Sequence, residues 1–163
     1  MFRTSLLALA FVLSCGPAIA QEIKAGDLAI DQPWARATPK GATVGAGYLT
    51  IHNNGATADT LTGGMADFAA VQVHEMTMAG GVMKMREVEG GLTIPPHGTV
   101  TLAPNGYHLM FVGLKQPLVK GQPVKATLSF EHAGAVDVTF DVRAVGAGAT
   151  AAPKSDGMGG MKM

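Results

Sequence analysis

An all-β fold, an antiparallel β-sandwich or barrel, is predicted by three features of the sequence. Short alternating runs recur at intervals of about 8–12 residues, Gly, Pro and Asn clusters separate them, and no segment carries a helical period. The chain between positions 25 and 145 is long enough for one two-layered core.

Taken in order, residues 28–30 form a short strand ahead of Pro33, and residues 34–39 an extended segment entering a turn at Lys40-Gly41. Residues 44–53 alternate, with Tyr48, Thr50 and His52 on one face and Leu49 and Ile51 on the other, and Asn53-Asn54-Gly55 ends the run. Residues 59–62 and 70–73 follow, divided by Gly63-Gly64 and residues 65–68. Gly90-Gly91 and Pro95-Pro96-His97-Gly98 bracket residues 92–94, and Pro104-Asn105-Gly106 turns residues 99–102 into residues 107–112. The last pair, 124–130 and 135–144, is a hairpin with His132 at its tip. His97 and His132 are expected in exposed turns, and His52 on a polar face.

The chemistry concentrates in residues 73–111, which hold five of the ten methionines together with His74 and His108. In a strand His74, Met76 and Met78 share a face, as do Met83 with Met85 and His108 with Met110. Gly80-Gly81 is a two-residue turn signal that sets Met78 opposite Met83 and Met76 opposite Met85. Imidazole and thioether are neutral donors and thioether sulfur is soft, so such a cluster selects Cu(I) over Zn(II), which prefers thiolate or carboxylate partners. A lone methionine is ordinarily a core gap-filler. Several in phase with two histidines on adjoining strands define a ligand set, and Met65 is expected to lie outside its face.

Residues 1–20 have the features of a secretory signal, with Arg3, an apolar run over 5–13 and the small-residue site Ala18-Ile19-Ala20. The run is too short to cross a bilayer, so no transmembrane segment is expected in the mature form. Cleavage would begin that form at Gln21 and remove Cys15, the single cysteine. Val12-Leu13-Ser14-Cys15 is the weaker alternative, a lipid-attachment site in which Leu13 fits poorly. A cysteine-free exported chain suits an oxidising periplasm, where sulfur ligands would be thioethers. Without Arg3, eleven basic residues face twelve acidic ones, and no basic patch points to nucleic acid. The domain is expected over 21–145, and residues 146–163 read as a flexible tail whose Met158, Met161 and Met163 are further soft donors.

His74, ten intervening residues, Met85, twenty-two more, and His108-Leu109-Met110 together resemble the PCuAC family of periplasmic copper chaperones. The similarity includes Trp34-Ala35-Arg36-Ala37-Thr38, Gly47-Tyr48-Leu49-Thr50-Ile51 and Gly106-Tyr107, and spans nearly all of residues 25–142. It implies a cupredoxin-like β-sandwich, a Cu(I) site of His74, Met85, His108 and Met110, and delivery to cytochrome c oxidase assembly. The implied partners are a copper-accepting oxidase subunit or a Sco-type assembly protein. Met76, Met78 and Met83 are auxiliary donors on this reading. The tail after Gly146 has no histidine, unlike that of some relatives, which argues against Cu(II) capture there.

The alternatives are copper sequestration, an electron carrier and a metal-free structural sandwich. Blue-copper chemistry is disfavoured because its cysteine ligand is missing. No nucleophile–base pair or phosphate loop points to an enzyme.

Overall fold

A computed structural model describes residues 22–148. The expected signal segment, Cys15 and the tail methionines lie outside the described residues. Eleven strands are formed: β1 (Ile23–Ala25), β2 (Leu28–Arg36), β3 (Val44–Asn53), β4 (Asp59–Ala66), β5 (Ala69–Ala79), β6 (Val82–Glu87), β7 (Leu92–Ile94), β8 (Thr99–Leu102), β9 (Tyr107–Val112), β10 (Val124–Phe130) and β11 (Gly134–Arg143). Seven of them close a ring in the order β2-β11-β10-β4-β5-β9-β3 and back to β2. β1, β6, β7 and β8 are added at its edges.

Every pairing is antiparallel except that of β11 with β2, which is parallel. Parity requires the exception. Each antiparallel pair reverses direction, so six reversals bring the seventh strand back parallel to the first. The antiparallel architecture expected from the sequence is therefore present in every pairing but the seam that closes the ring.

β2 is one strand and not the two segments read from Pro33. Its register shifts between Asp31 and Trp34, where Gln32 adopts φ 49°. Pro33 has no N–H to give a ladder and is accommodated at this bulge. Before the bulge β2 is flanked by β1, and after it by β11.

Gly63-Gly64, expected as a turn, lies inside β4. A Cβ on Gly64 would run into the Thr127 carbonyl of β10, and one on Gly63 would stand 2.9 Å from the Val71 carbonyl of β5. These residues are glycine because β4 is squeezed between two backbones, and the turn falls at Asp67-Phe68 instead.

Alternation fills the interior: β11 buries Val136, Val138, Phe140 and Val142 and exposes the residues between them. Phe111 meets Phe140 edge-on at 5.6 Å between ring centres. Each such side chain, removed from water, contributes about 1.5–3 kcal/mol. At the tip of the β10–β11 hairpin the buried Asp59 carboxylate accepts hydrogen bonds from the backbone N–H groups of Thr60, His132 and Ala133. Burial alone would raise its pKa, but these donors and the His132 ring outweigh it and hold the carboxyl below its usual range. His132 and His97 are exposed, and His52 lies on a polar face bridging Asp31 at 3.0 Å and Thr99 at 2.8 Å.

β5 alternates buried and open only as far as Val73, and every residue of β6 is exposed. The β5–β6 hairpin thus leaves the barrel as an arm. Arg86 and Glu75, paired at 2.9 Å, link its two strands on one face.

Candidate metal centre

The site lies where the arm leaves the barrel. Val71 and Val73 point into the core opposite Phe111 and Leu109, so the intervening residues face outward. Register then places His74 of β5 directly opposite His108 of β9. Their ring centres are 6.0 Å apart.

On the other edge of β5 the Gly80-Gly81 turn sets the expected pairs, Met78 with Met83 and Met76 with Met85, and places Glu87 opposite His74. Met110 lies opposite Gln72 on one side and Ala46 on the other. The structure therefore brings the histidines together and offsets the methionines. Met85 is one pleat toward the arm and Met110 one pleat toward the barrel, each about 7 Å along the strand from the histidine pair. The unbranched methionine side chain, with three rotatable bonds, is suited to spanning such an offset.

The sequence placed Met65 outside the ligand face. It pairs with Ala70, which shares the face of Gln72 and His74, because β4 runs on as a strand through Gly63-Gly64. It is four residues along the strand from the histidine pair, about 13 Å, and remains remote from it.

His108 is 3% exposed and His74 half-buried. Nδ1–H of His108 donates to the Gly106 carbonyl at 3.1 Å, which leaves the lone pair on Nε2. His74 Nε2–H donates to Gln72 Oε1 at 3.0 Å, which leaves the lone pair on Nδ1. Both remaining nitrogens are buried with no hydrogen-bond partner among the described residues. The opposite tautomers would bury N–H donors without acceptors, at a cost of about 1–3 kcal/mol each. Burial first, and the neighbouring His108 second, lower the pKa of His74, with Glu87 opposing them. The imidazole is thus held neutral, the form that ligates a metal.

Gln72 and Glu87 were missed from the sequence, although both were within reach of strand counting. Gln72 is two residues before His74, and Glu87 is its partner counted outward from the turn. Among the described residues no three His, Cys, Asp or Glu side chains converge on one point. The thioethers of Met85 and Met110, on the same face as the histidine pair, are neutral, soft donors of the kind that suits a monovalent soft ion.

A closed β-barrel with a neutral His/Met face at the root of a hairpin arm defines a soft-metal-binding class of protein. The chain matches the LpqE-like lipoprotein family over residues 28–142 and belongs to it. In agreement with the PCuAC resemblance, it is similar to the copper-bound PCuAC domain from PmoF2, with 32% identity and TM-score 0.65, over 76% of this chain and 98% of that one. It is also similar to Cu(I)-DR1885 from Deinococcus radiodurans, with 30% identity and TM-score 0.57, over 77% of this chain and 81% of that one. Lxx21020 of Leifsonia xyli subsp. xyli, which carries a lipoprotein name, is 32% identical over 121 residues, 74% of this chain and 72% of that protein. The fold shared with the PCuAC domains is the cupredoxin-like one.

Proposed function

We propose that the protein is an exported copper chaperone that carries Cu(I) on His74, Met85, His108 and Met110. Copper is its cargo. The observation that carries the reading is the pair of buried, unpartnered imidazole nitrogens on neighbouring strands, flanked by thioethers on one face. The copper bound by the similar PmoF2 domain and the Cu(I) bound by DR1885 support the choice of ion.

The exposure gradient supports transfer. His108 is buried, whereas Met85 is 49% exposed. An incoming ligand would displace Met85 first, and the histidines would release copper only after the acceptor holds it. The acceptor we propose is the copper site of a cytochrome c oxidase subunit, or a Sco-type protein acting before it. The lipoprotein names of the relatives support export, and we place the mature N-terminus at Gln21 in the periplasm.

The test mixes the Cu(I)-loaded mature protein with the apo, soluble copper domain of an oxidase subunit in the presence of a Cu(I) chelator. Copper should reach the acceptor without passing through the chelator. Retention of Cu(I) by the donor would instead favour sequestration, and failure to bind Cu(I) at all would overturn the reading.

A further inference from the structure

We propose that the β5–β6 arm carries a second, weaker Cu(I) site made only of thioethers, with Met76, Met78 and Met83 as its donors and Met85 as the donor shared with the histidine site. The inference rests on the proposed role in Cu(I) binding and extends it from one site to a path.

The two faces of the arm differ in chemistry. On the face away from the histidines, Glu75 pairs with Arg86 and Thr77 with Lys84, a polar composition suited to solvent. On the histidine face the pairs are Met76 with Met85 and Met78 with Met83. Met78 is 69% exposed, Met83 52% and Met85 49%. Filling a core is the usual reason for methionine, and it does not apply to the exposed Met78, Met83 and Met85. Successive methionine pairs stand about 7 Å apart along the strands, and the partners within a pair about 5 Å apart at Cβ. The sulfurs form a ladder leading from the tip of the arm to His74.

Thioether sulfur is soft and uncharged, so the ladder suits Cu(I) and offers little to Cu(II) or Zn(II). Without imidazole it holds copper more weakly than the histidine site and fills second. Thioethers do not titrate, so its affinity is independent of pH, unlike that of a site requiring neutral histidine. Rotation of Met85 toward either end would let an ion move between the ladder and the histidine pair without entering water.

The full mature chain, labelled at the methionine methyl carbons, is titrated anaerobically with Cu(I) supplied as its acetonitrile complex. The first equivalent should shift Met85 and Met110, and the second should shift Met76, Met78 and Met83. The double variant Met78→Leu/Met83→Leu keeps apolar side chains on an exposed arm. It should lose the second equivalent and hold the first within about twofold of wild type. The affinity of the second equivalent should be flat between about pH 8 and 5, across the ordinary histidine range. A second equivalent that leaves Met78 and Met83 unshifted, survives the double variant or weakens with acid overturns the ladder and leaves the histidine site standing. A first equivalent that fails to shift Met110 overturns the histidine site itself.

Discussion

Replacing Gln72 with leucine removes the side chain that holds the His74 imidazole. His74 Nε2–H donates to Gln72 Oε1 at 3.0 Å, and this contact keeps the Nδ1 lone pair free. His108 is oriented by the Gly106 carbonyl, a backbone group that no side-chain change removes. Loss of the hydrogen-bond partner behind a histidine ligand typically weakens metal binding by about 10–100-fold. Only one of the two imidazoles is released here, so the lower end applies, about tenfold or 1.4 kcal/mol. Competition with a chromophoric Cu(I) chelator measures it. Gln72→Glu retains an acceptor at the same reach and should bind at least as tightly as wild type. Binding by Gln72→Leu within about twofold of wild type would refute the reasoning, as would Gln72→Glu being as weak as the leucine variant.

Three further outcomes follow from the same geometry. His74 has its pKa lowered by burial and by His108, so its neutral form is favoured in the fold. The contribution of His74 to Cu(I) affinity should therefore hold as pH falls through the ordinary histidine range near about 6.5 and drop only below it, as chelator competition across pH will show. The same sign makes the His74 contribution to apo stability complete above that value and lost as pH falls through the lowered folded pKa. Asp59→Ala strips the acceptor from three backbone N–H groups and should cost about 2–4 kcal/mol in urea melts with Cu(I) affinity unchanged, because Asp59 serves the β10–β11 tip. The lowered Asp59 pKa means its contribution is complete above the unfolded carboxylate range and lost in acid, and Asp59→Asn should remove that acid dependence. Truncation after Gly146, which removes Met158, Met161 and Met163, should leave the fold and the first Cu(I) equivalent intact and slow uptake, and stopped-flow loading of the two chains compares them.

What could be read from the sequence was whatever depends on near neighbours. The Gly80-Gly81 turn fixes the whole β5–β6 register, so Met76–Met85 and Met78–Met83 followed from counting alone. Residues 44–53 announced their strand by alternation, and residues 107–112 theirs by the Pro104-Asn105-Gly106 turn before them. The neighbour relation of His74 and His108 is of another kind. Thirty-three residues separate them, and only the docking of β9 along β5 makes them adjacent, which the sequence motif suggested by resemblance and no local pattern dictates. The parallel β11–β2 seam depends on the number of strands in the ring, a global property. Gly63-Gly64 misled because glycine marks both turns and close backbone crossings. Which imidazole nitrogens are free depends on Gln72 and the Gly106 carbonyl, and only coordinates reveal them.

X-ray absorption at the copper K-edge of the mature protein, loaded with a single Cu(I), tests the central claim most directly. The account predicts a colourless, monovalent ion with two imidazole nitrogens and two sulfurs in its shell, one nitrogen being lost in His108→Ala and one sulfur in Met110→Ala. A shell of nitrogen and oxygen without sulfur, or one unchanged in both variants, would contradict it.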